Sequence, residues 1–313
     1  MDSEHTCHLV VDGSNMLHRV LHVPSLQNLK TSKGVFTGGV YGFLKTLRVA
    51  VREFAYLGTC SVVWDSGRSS RRRSILPEYK HSDAVHQPII LEDTTEFQYM
   101  DEYLRQREVL KGILRILGVR SIEVPGKEAD DIICEVVDGL GENAVVVSED
   151  RDFFQLVSSL TKIYRPIAEE LVTEESIQNE YGFGPDKYLW YHAICGDGSD
   201  NIGGIAGVGS GTAIKVVQNA DSIQEMFIWS DAHKHLRVRK VAQHFDVVLR
   251  NLELVELSKE EFSAIESRYI DHVLREKLPP FDLMAFSEKA LELEMESISE
   301  HARSWVEPFL DLR

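Results

Sequence analysis

Residues 126–135 read GKEADDIICE, which sets Glu128, Asp130 and Asp131 within four positions of a chain that already carries 50 acidic residues against 34 basic ones. Carboxylates this close cannot all ionise near neutral pH unless cations compensate them. Other acids follow apolar runs: Asp12 after HLVV, Asp65 after SVVW, Asp150 and Asp152 after AVVVSE, and Asp197 and Asp200 in GDGSDN. Taken singly, each has an ordinary explanation. A strand-end Asp forms a turn or caps a helix, and acids in a first helical turn answer the helix dipole. Together, these nine carboxylates from five distant segments suit hard, oxygen-seeking ions, Mg²⁺ or Mn²⁺. No His or Cys set at zinc spacing stands among them. Nine acids exceed what one octahedral ion that retains waters needs, so two ions are expected. Such a pair is the machinery of phosphodiester hydrolysis, activating water and stabilising the leaving oxygen.

Two further segments suit a phosphate-bearing substrate. DSGRSSRRRSILPEYK, residues 65–80, runs directly from Asp65 and carries Arg68, Arg71, Arg72, Arg73 and Lys80. Their charge can offset what develops on a phosphate being cut. Tyr79 offers a ring on which an unpaired base can stack. The competing interpretation is a solvated basic loop. IGGIAGVGSGTAIKVV, residues 202–217, has glycines at Gly203, Gly204, Gly207, Gly209 and Gly211, with Lys215 the nearest base. It lacks the G-K-[ST] ending of a P-loop. A glycine hairpin that enters a helix still presents backbone N–H groups to a phosphate without reading sequence. A purely structural helix–turn–helix fits the spacing equally well.

The elements that must position these groups follow from periodicity. Short β-rich runs alternate with longer helical patterns over the first two-thirds, the mark of an α/β domain with a largely parallel sheet. Strands are predicted at 8–12, 61–65, 120–124, 144–148 and 162–166. Helices are predicted at 39–56, 96–117 and 128–140, the last closed by Gly141. On the second helix Phe97, Met100, Tyr103, Leu104, Leu110, Ile113, Leu114 and Leu117 share one side. Ligand sites in an open parallel sheet lie beyond the carboxyl ends of the strands, which is where the acids fall. From residue 183 the pattern turns helical, beginning GPDKYLWYHAICG with Pro185 near the start. The expected division is a catalytic domain over 1–182 and a helical subdomain over 183–313.

Composition sets outer bounds. At 313 residues and 43% apolar content the chain can bury a large core. No apolar run approaches the length that spans a bilayer, and MDSEHTCHLV does not read as a secretory signal. Cys7, Cys60, Cys134 and Cys195 are scattered, as reduced thiols of a cytoplasmic protein would be. The net charge of −16 taken whole opposes a nucleic-acid partner, but base gathers locally at 68–80 and 237–240.

The segments LVVDGSNMLHR, VVWDSG, LPEYK, VPGKEADDIICEVV, VVVSEDRDFFQLV and ICGDGSDNIGGIAGVGSGTA occur in this order over about 8–220. In this the chain resembles the structure-specific 5′-nucleases: flap endonucleases, bacteriophage 5′–3′ exonucleases and the 5′-nuclease domain of bacterial DNA polymerase I. The resemblance implies a PIN-like α/β fold, a mostly parallel sheet flanked by helices, with a helical C-terminal part. That part would carry a helix–three-turn–helix at about 186–218. The resemblance further implies two Mg²⁺ ions (with Mn²⁺ as substitute), K⁺ in the helix–three-turn–helix loop, and an arch at about 81–107. It places Asp12, Asp65, Glu128, Asp130 and Asp131 around the first ion, and Asp150, Asp152, Asp197 and Asp200 around the second. Lys80 and Arg72 would contact the scissile phosphate, with Tyr79 as the aromatic preceding that lysine. Arg68, Arg71, Arg73, Lys215 and the backbone at Gly203, Gly207, Gly209 and Gly211 would hold DNA.

The expected activity is flap endonuclease and 5′–3′ exonuclease cleavage of branched or 5′-ended DNA in replication or repair. The expected form is a stand-alone, monomeric, non-membrane nuclease of the kind phages encode. The chain departs from the pattern at Asp83 and Gly211, where relatives commonly carry base, and in the acidic SDAVHQPIILEDTTE. A PIN-type ribonuclease and a non-catalytic DNA-binding protein are the alternatives.

Overall fold

The computed structural model describes residues 7–55, 58–80, 99–279 and 281–312. Strand β1 (His8–Asp12) reads HLVVD and is buried along nearly its whole length, as a strand covered on both faces must be. β2 (Thr59–Val63), β3 (Arg120–Ile122), β4 (Ala144–Val147) and β5 (Thr161–Arg165) join it in parallel. β6 (Glu170–Val172) closes one edge antiparallel to β5. The order is β3-β2-β1-β4-β5-β6, so the chain winds outward in both directions from β1. That reversal opens a crevice at the carboxyl end of β1, where Asp12 stands. In the register His8 lies opposite both Thr59 and Ala144, so Asp12, Asp65 and Asp150 leave the sheet at the same edge.

Helices cover both faces. Gly38–Phe54 and Tyr99–Ile116 bury Phe43, Leu44, Leu47, Leu110, Ile113 and Leu114 against Leu9, Val11, Val62 and Trp64. Ala129–Leu140 buries Ile132, Ile133 and Val136 on the other face and ends at Gly141, whose φ of 59° is the left-handed value that glycine tolerates best. Two expected apolar contacts fail. Met100 and Leu104 are 38% and 42% exposed, because the first turns of their helix overhang a cleft instead of the sheet. Phe97 and the 81–98 part of the expected arch lie outside the described residues.

Beyond residue 183 the helices Tyr188–Cys195, Ser210–Gln218, Ile223–Ala232, Leu236–Gln243, Phe245–Val255 and Ala264–Arg275 follow. They have no core of their own among the described residues. One buried cluster runs from Val10, Val63 and Val146 of the sheet through Ile133 to Ala193, Val216, Val238 and Val248. The last segment crosses to the opposite face. Phe286, Trp305, Val306 and Phe309 bury themselves with Phe43 and Leu47, and Arg48 Nε donates to Trp305 O at 2.7 Å. No described helix is long and apolar enough to cross a membrane.

Candidate metal centre

Each strand-end acid uses one oxygen as a cap. Asp12 Oδ1 accepts from Asn15 N (3.0 Å) and starts the helix Gly13–Leu21. Asp150 Oδ1 accepts from Asp152 N (3.0 Å) and starts the 3-10 turn Arg151–Leu156. Glu128, at the N-cap of Ala129–Leu140, makes no side-chain cap. Asp65 does it from across the sheet, its Oδ1 accepting from Ala129 N at 2.7 Å. That bond ties the end of β2 to the first turn that carries Asp130. Ser148 Oγ donates to Asp12 Oδ2 (2.9 Å) and accepts from Asp150 N (3.1 Å), which fixes β1 against β4. The ordinary capping roles are therefore real. They also hold the acids in place.

Their electrostatics shows how crowded they are. Burial, with the charges of Asp65 and Asp150, pushes Asp12 up to about 7 against the bonds from Asn15 and Ser148. Burial raises Asp130 well above the ordinary carboxylate range, helped by Asp12, Asp150 and Asp65 and opposed by Lys80. Burial does the same to Asp152, joined by Asp150, Asp197, Asp130 and Asp200. Asp200 rises to about 6, mainly through burial, with Lys80 opposing. Buried carboxylates that raise one another in this way are relieved by a cation, and the donors offered are oxygens.

Glu128 and Asp131 are also bonded to protein donors. Arg72, 1% exposed, forms a two-pronged pair with Asp131 (Nη1–Oδ2 2.7 Å, Nη2–Oδ1 2.6 Å). Its Nη1 also reaches Glu128 Oε2 (3.1 Å), and its Nε donates to Leu254 O (2.8 Å). Glu128 further accepts from Ser69 N (3.2 Å), Tyr79 Oη (2.8 Å) and Lys80 Nζ (3.2 Å). Burial alone would raise Glu128, yet Lys80 and Arg72 hold it below the usual range. Two expectations, on Arg72 and Tyr79, are corrected. Arg72 faces the interior, so its guanidinium cannot meet a phosphate. Tyr79, 2% exposed and packed with Ile202, Leu254 and Val255, has no ring face for a base. Asp131 is also the residue that makes Arg72 affordable at that depth.

Lys80 does face the acids. Its Nζ is 3.7 Å from both Asp130 Oδ2 and Asp200 Oδ2. Burial would lower its pKa, but Asp130, Asp200 and Glu128 raise it well above the ordinary value, so the ammonium stays charged. Its backbone is left-handed (φ 48°), and its N–H donates to Asp200 O (3.1 Å). That bond joins the Arg-rich segment to the GDGSDN turn. The turn is a two-stranded hairpin, β7 (Gly196–Asp197) with β8 (Ile202–Gly203). Gly196 has φ 71°, and a Cβ there would sit 2.3 Å from Gly204 N, so only glycine fits. The hairpin brings Asp197 to Asp152 and to His192, with ligand atoms of all three within 4.8 Å of one another.

Beside the acids lies a cleft of about 560 Å³ lined by Asp65, Arg68, Lys80, Tyr103, Arg107, Glu128 and Asp200, among others. Arg68 and Arg73 are exposed. Arg71 instead turns into the helical half, 3.5 Å from Glu260 and donating to Glu253 O. Gly209 caps the helix Ser210–Gln218, and open space surrounds Gly203, Gly209 and Gly211, so the N–H groups that a first helical turn leaves free are approachable. Gly207 is left-handed (φ 79°) and lies beside Lys240 Nζ, which donates to Ala206 O (3.0 Å). Lys215 is exposed.

The profile of the 5′–3′ exonuclease N-terminal resolvase-like domain matches residues 7–182, and that of the 5′–3′ exonuclease C-terminal SAM fold matches 183–271. The chain belongs to the 5′–3′ exonuclease family. It is 31% identical over 294 residues to the 5′–3′ exonuclease of Aquifex aeolicus, covering 92% of each protein. It is 32% identical over 250 residues to the thermostable DNA polymerase I of Thermus thermophilus, spanning 79% of this chain but only 28% of the polymerase. The bacteriophage T5 flap endonuclease, solved with DNA and metal ions, shares the fold at a TM-score of 0.64 and 20% identity, covering 92% of this chain and 99% of the other.

Within this member of the 5′–3′ exonuclease family, His192 is the residue that sequence reasoning missed. A lone histidine on an otherwise apolar helix reads as core. The available signal was its position, one turn and a glycine before Asp197. It is 8% exposed, its Nε2 lies 3.6 Å from Asp152 Oδ1 and 3.9 Å from Asp197 Oδ2, and burial lowers its pKa while Asp197 and Asp150 oppose.

Proposed function

We propose that this chain is a divalent-metal-dependent 5′-nuclease, a flap endonuclease and 5′–3′ exonuclease acting on branched or 5′-ended DNA in replication or repair. The observation that carries the reading is the gathering of Asp12, Asp65, Asp130 and Asp150 with Asp152, Asp197 and Asp200 beside a cleft that also holds Lys80 and Arg68. Asp12, Asp65 and Asp130 would hold one ion and Asp150, Asp152, Asp197 and Asp200 the other, Mg²⁺ being the natural occupant of an all-oxygen set. The pair of ions supplies an activated water and stabilises the leaving oxygen. The chain's own groups do the rest. Lys80 keeps a permanent positive charge at the mouth of the site, next to where a scissile phosphate must lie. Arg68 and Arg73 flank the same approach. The backbone N–H groups around Gly203, Gly207, Gly209 and Gly211, with Lys215, hold a duplex phosphate without selecting sequence. K⁺ in that loop, and a monomer in the cytoplasm made of a nuclease part over 1–182 and a helical part over 183–313, belong to the same reading.

End-labelled 5′-flap, nicked-duplex and single-stranded DNA and RNA, each incubated with Mg²⁺, Mn²⁺ or EDTA, test it. Metal-dependent release of short 5′ products from flap DNA is expected. Cleavage of RNA alone, or of nothing, overturns it.

A further inference from the structure

We propose that His192 is a nitrogen ligand of the second metal position, which makes that position prefer a divalent transition ion, Mn²⁺ through Zn²⁺, over Mg²⁺. The inference rests on the nuclease reading and adds selectivity to it. His192 sits in the last turn of Tyr188–Cys195. At 8% exposure its Nδ1 has no hydrogen-bond partner among the described residues. Its Nε2 points between two carboxylates, 3.6 Å from Asp152 Oδ1 and 3.9 Å from Asp197 Oδ2. These separations are too long for hydrogen bonds. They are the right size for donors around one centre, because ligand atoms each about 2.1 Å from an ion stand about 3–4 Å apart.

Chemistry then separates the two positions. Asp12, Asp65 and Asp130 offer oxygen alone, which suits Mg²⁺. An imidazole suits the later first-row ions, whose affinity for nitrogen climbs from Mn²⁺ toward Cu²⁺. Asp197 is positioned for this by its own hairpin. Its Oδ1 is occupied by Ser199 N (2.7 Å) and Ser199 Oγ (2.5 Å), leaving Oδ2 on the side of His192. The two positions are therefore chemically unequal, and a mixed pair of ions is the expected loaded state.

The test uses the full chain with Mn²⁺ as probe. Pulsed electron paramagnetic resonance of the Mn²⁺-loaded protein should show coupling to a directly bound ¹⁴N, and His192→Gln should abolish it. Calorimetric titration should show that the variant loses about tenfold or more in Mn²⁺ affinity at one position while Mg²⁺ binding changes little. Absence of nitrogen coupling in the unaltered protein, or an unchanged Mn²⁺-to-Mg²⁺ preference in the variant, overturns the proposal. If His192→Gln does not fold, as judged by circular dichroism, His192→Asn serves as the second variant and the unaltered protein's spectrum still decides. Flap cleavage in Mg²⁺ without any nitrogen coupling sinks this inference alone, whereas no cleavage with any ion sinks the reading beneath it.

Discussion

Asp130 and Asp131 are neighbours in different surroundings, the first among other acids and the second against Arg72. Asp131 is committed to Arg72, and removing one member of such a buried pair strands the other's charge, at a cost of about 3–5 kcal/mol. Arg72→Ala is expected to lose that much in denaturant unfolding. Asp131→Asn should lower the melting temperature yet leave the number of bound Mn²⁺ ions unchanged, whereas Asp130→Asn should remove one. A lost ion in the Asp131 variant would return that residue to the ligand set. The acids also fix a pH response. Asp12 and Asp200 titrate near 7 and 6 when folded but near 4 in an unfolded chain. The folded, metal-free protein thus binds more protons over that window. Their contribution is full below about pH 4 and is lost as pH rises through 6 to 7, while Glu128, held low, works the other way on the acid side. Thermal unfolding in EDTA should therefore show a lower midpoint at pH 8 than at pH 5.5, and Mg²⁺ should recover the loss at pH 8. The acids themselves were legible in the sequence because they close apolar runs or, as Glu128, Asp130 and Asp131 do, open a helix. Which guanidinium of SRRRS turns inward was not, since only the distant Asp131 and Leu254 O decide it.

Local pattern located the parallel strands β1 to β5, because buried strands write themselves as β-branched runs. It displaced β2 by two residues and overran the end of β3, beyond which the pairing continues only as single bonds such as Trp64 N to Ile122 O. It missed β6, three residues held by the pairing Tyr164–Leu171, too short to leave a period. The glycine loop was legible as a tight turn that enters a helix, and Gly207 takes positive φ within it. One consequence can be measured there. Gly211 stands in the first turn of Ser210–Gln218 with nothing near its missing Cβ, so Gly211→Lys fits without strain. The variant should bind flap DNA more tightly in EDTA, and its affinity should fall more steeply with salt, by about 0.9 in the log–log slope for one added phosphate contact. An unchanged slope would mean that DNA does not pass this turn.

Across the whole molecule, the sequence suggested a separate helical second half, and the structure distributes that half over both faces of the sheet. Packing partners separated by some 250 residues leave no local trace, which is why the docking of Phe286 and Trp305 onto Phe43 and Leu47 escaped the periodicity. Trp305 stacks between Phe286 and Phe309 with Arg48 over its ring. Trp305→Ala should cost about 3–5 kcal/mol of stability while leaving turnover per folded molecule intact, which parallel unfolding and flap-cleavage assays would resolve. The hairpin Gly196–Gly203 has a different consequence. It delivers Asp197 and Asp200 from beyond residue 182 to face Asp130 and Asp152 from before it. An ion seated among them would staple the two halves of the chain together, so chelation should do more than stop the proposed chemistry. It should leave the seam between the halves open to a protease such as trypsin, which would make resistance to digestion a simple gauge of metal occupancy.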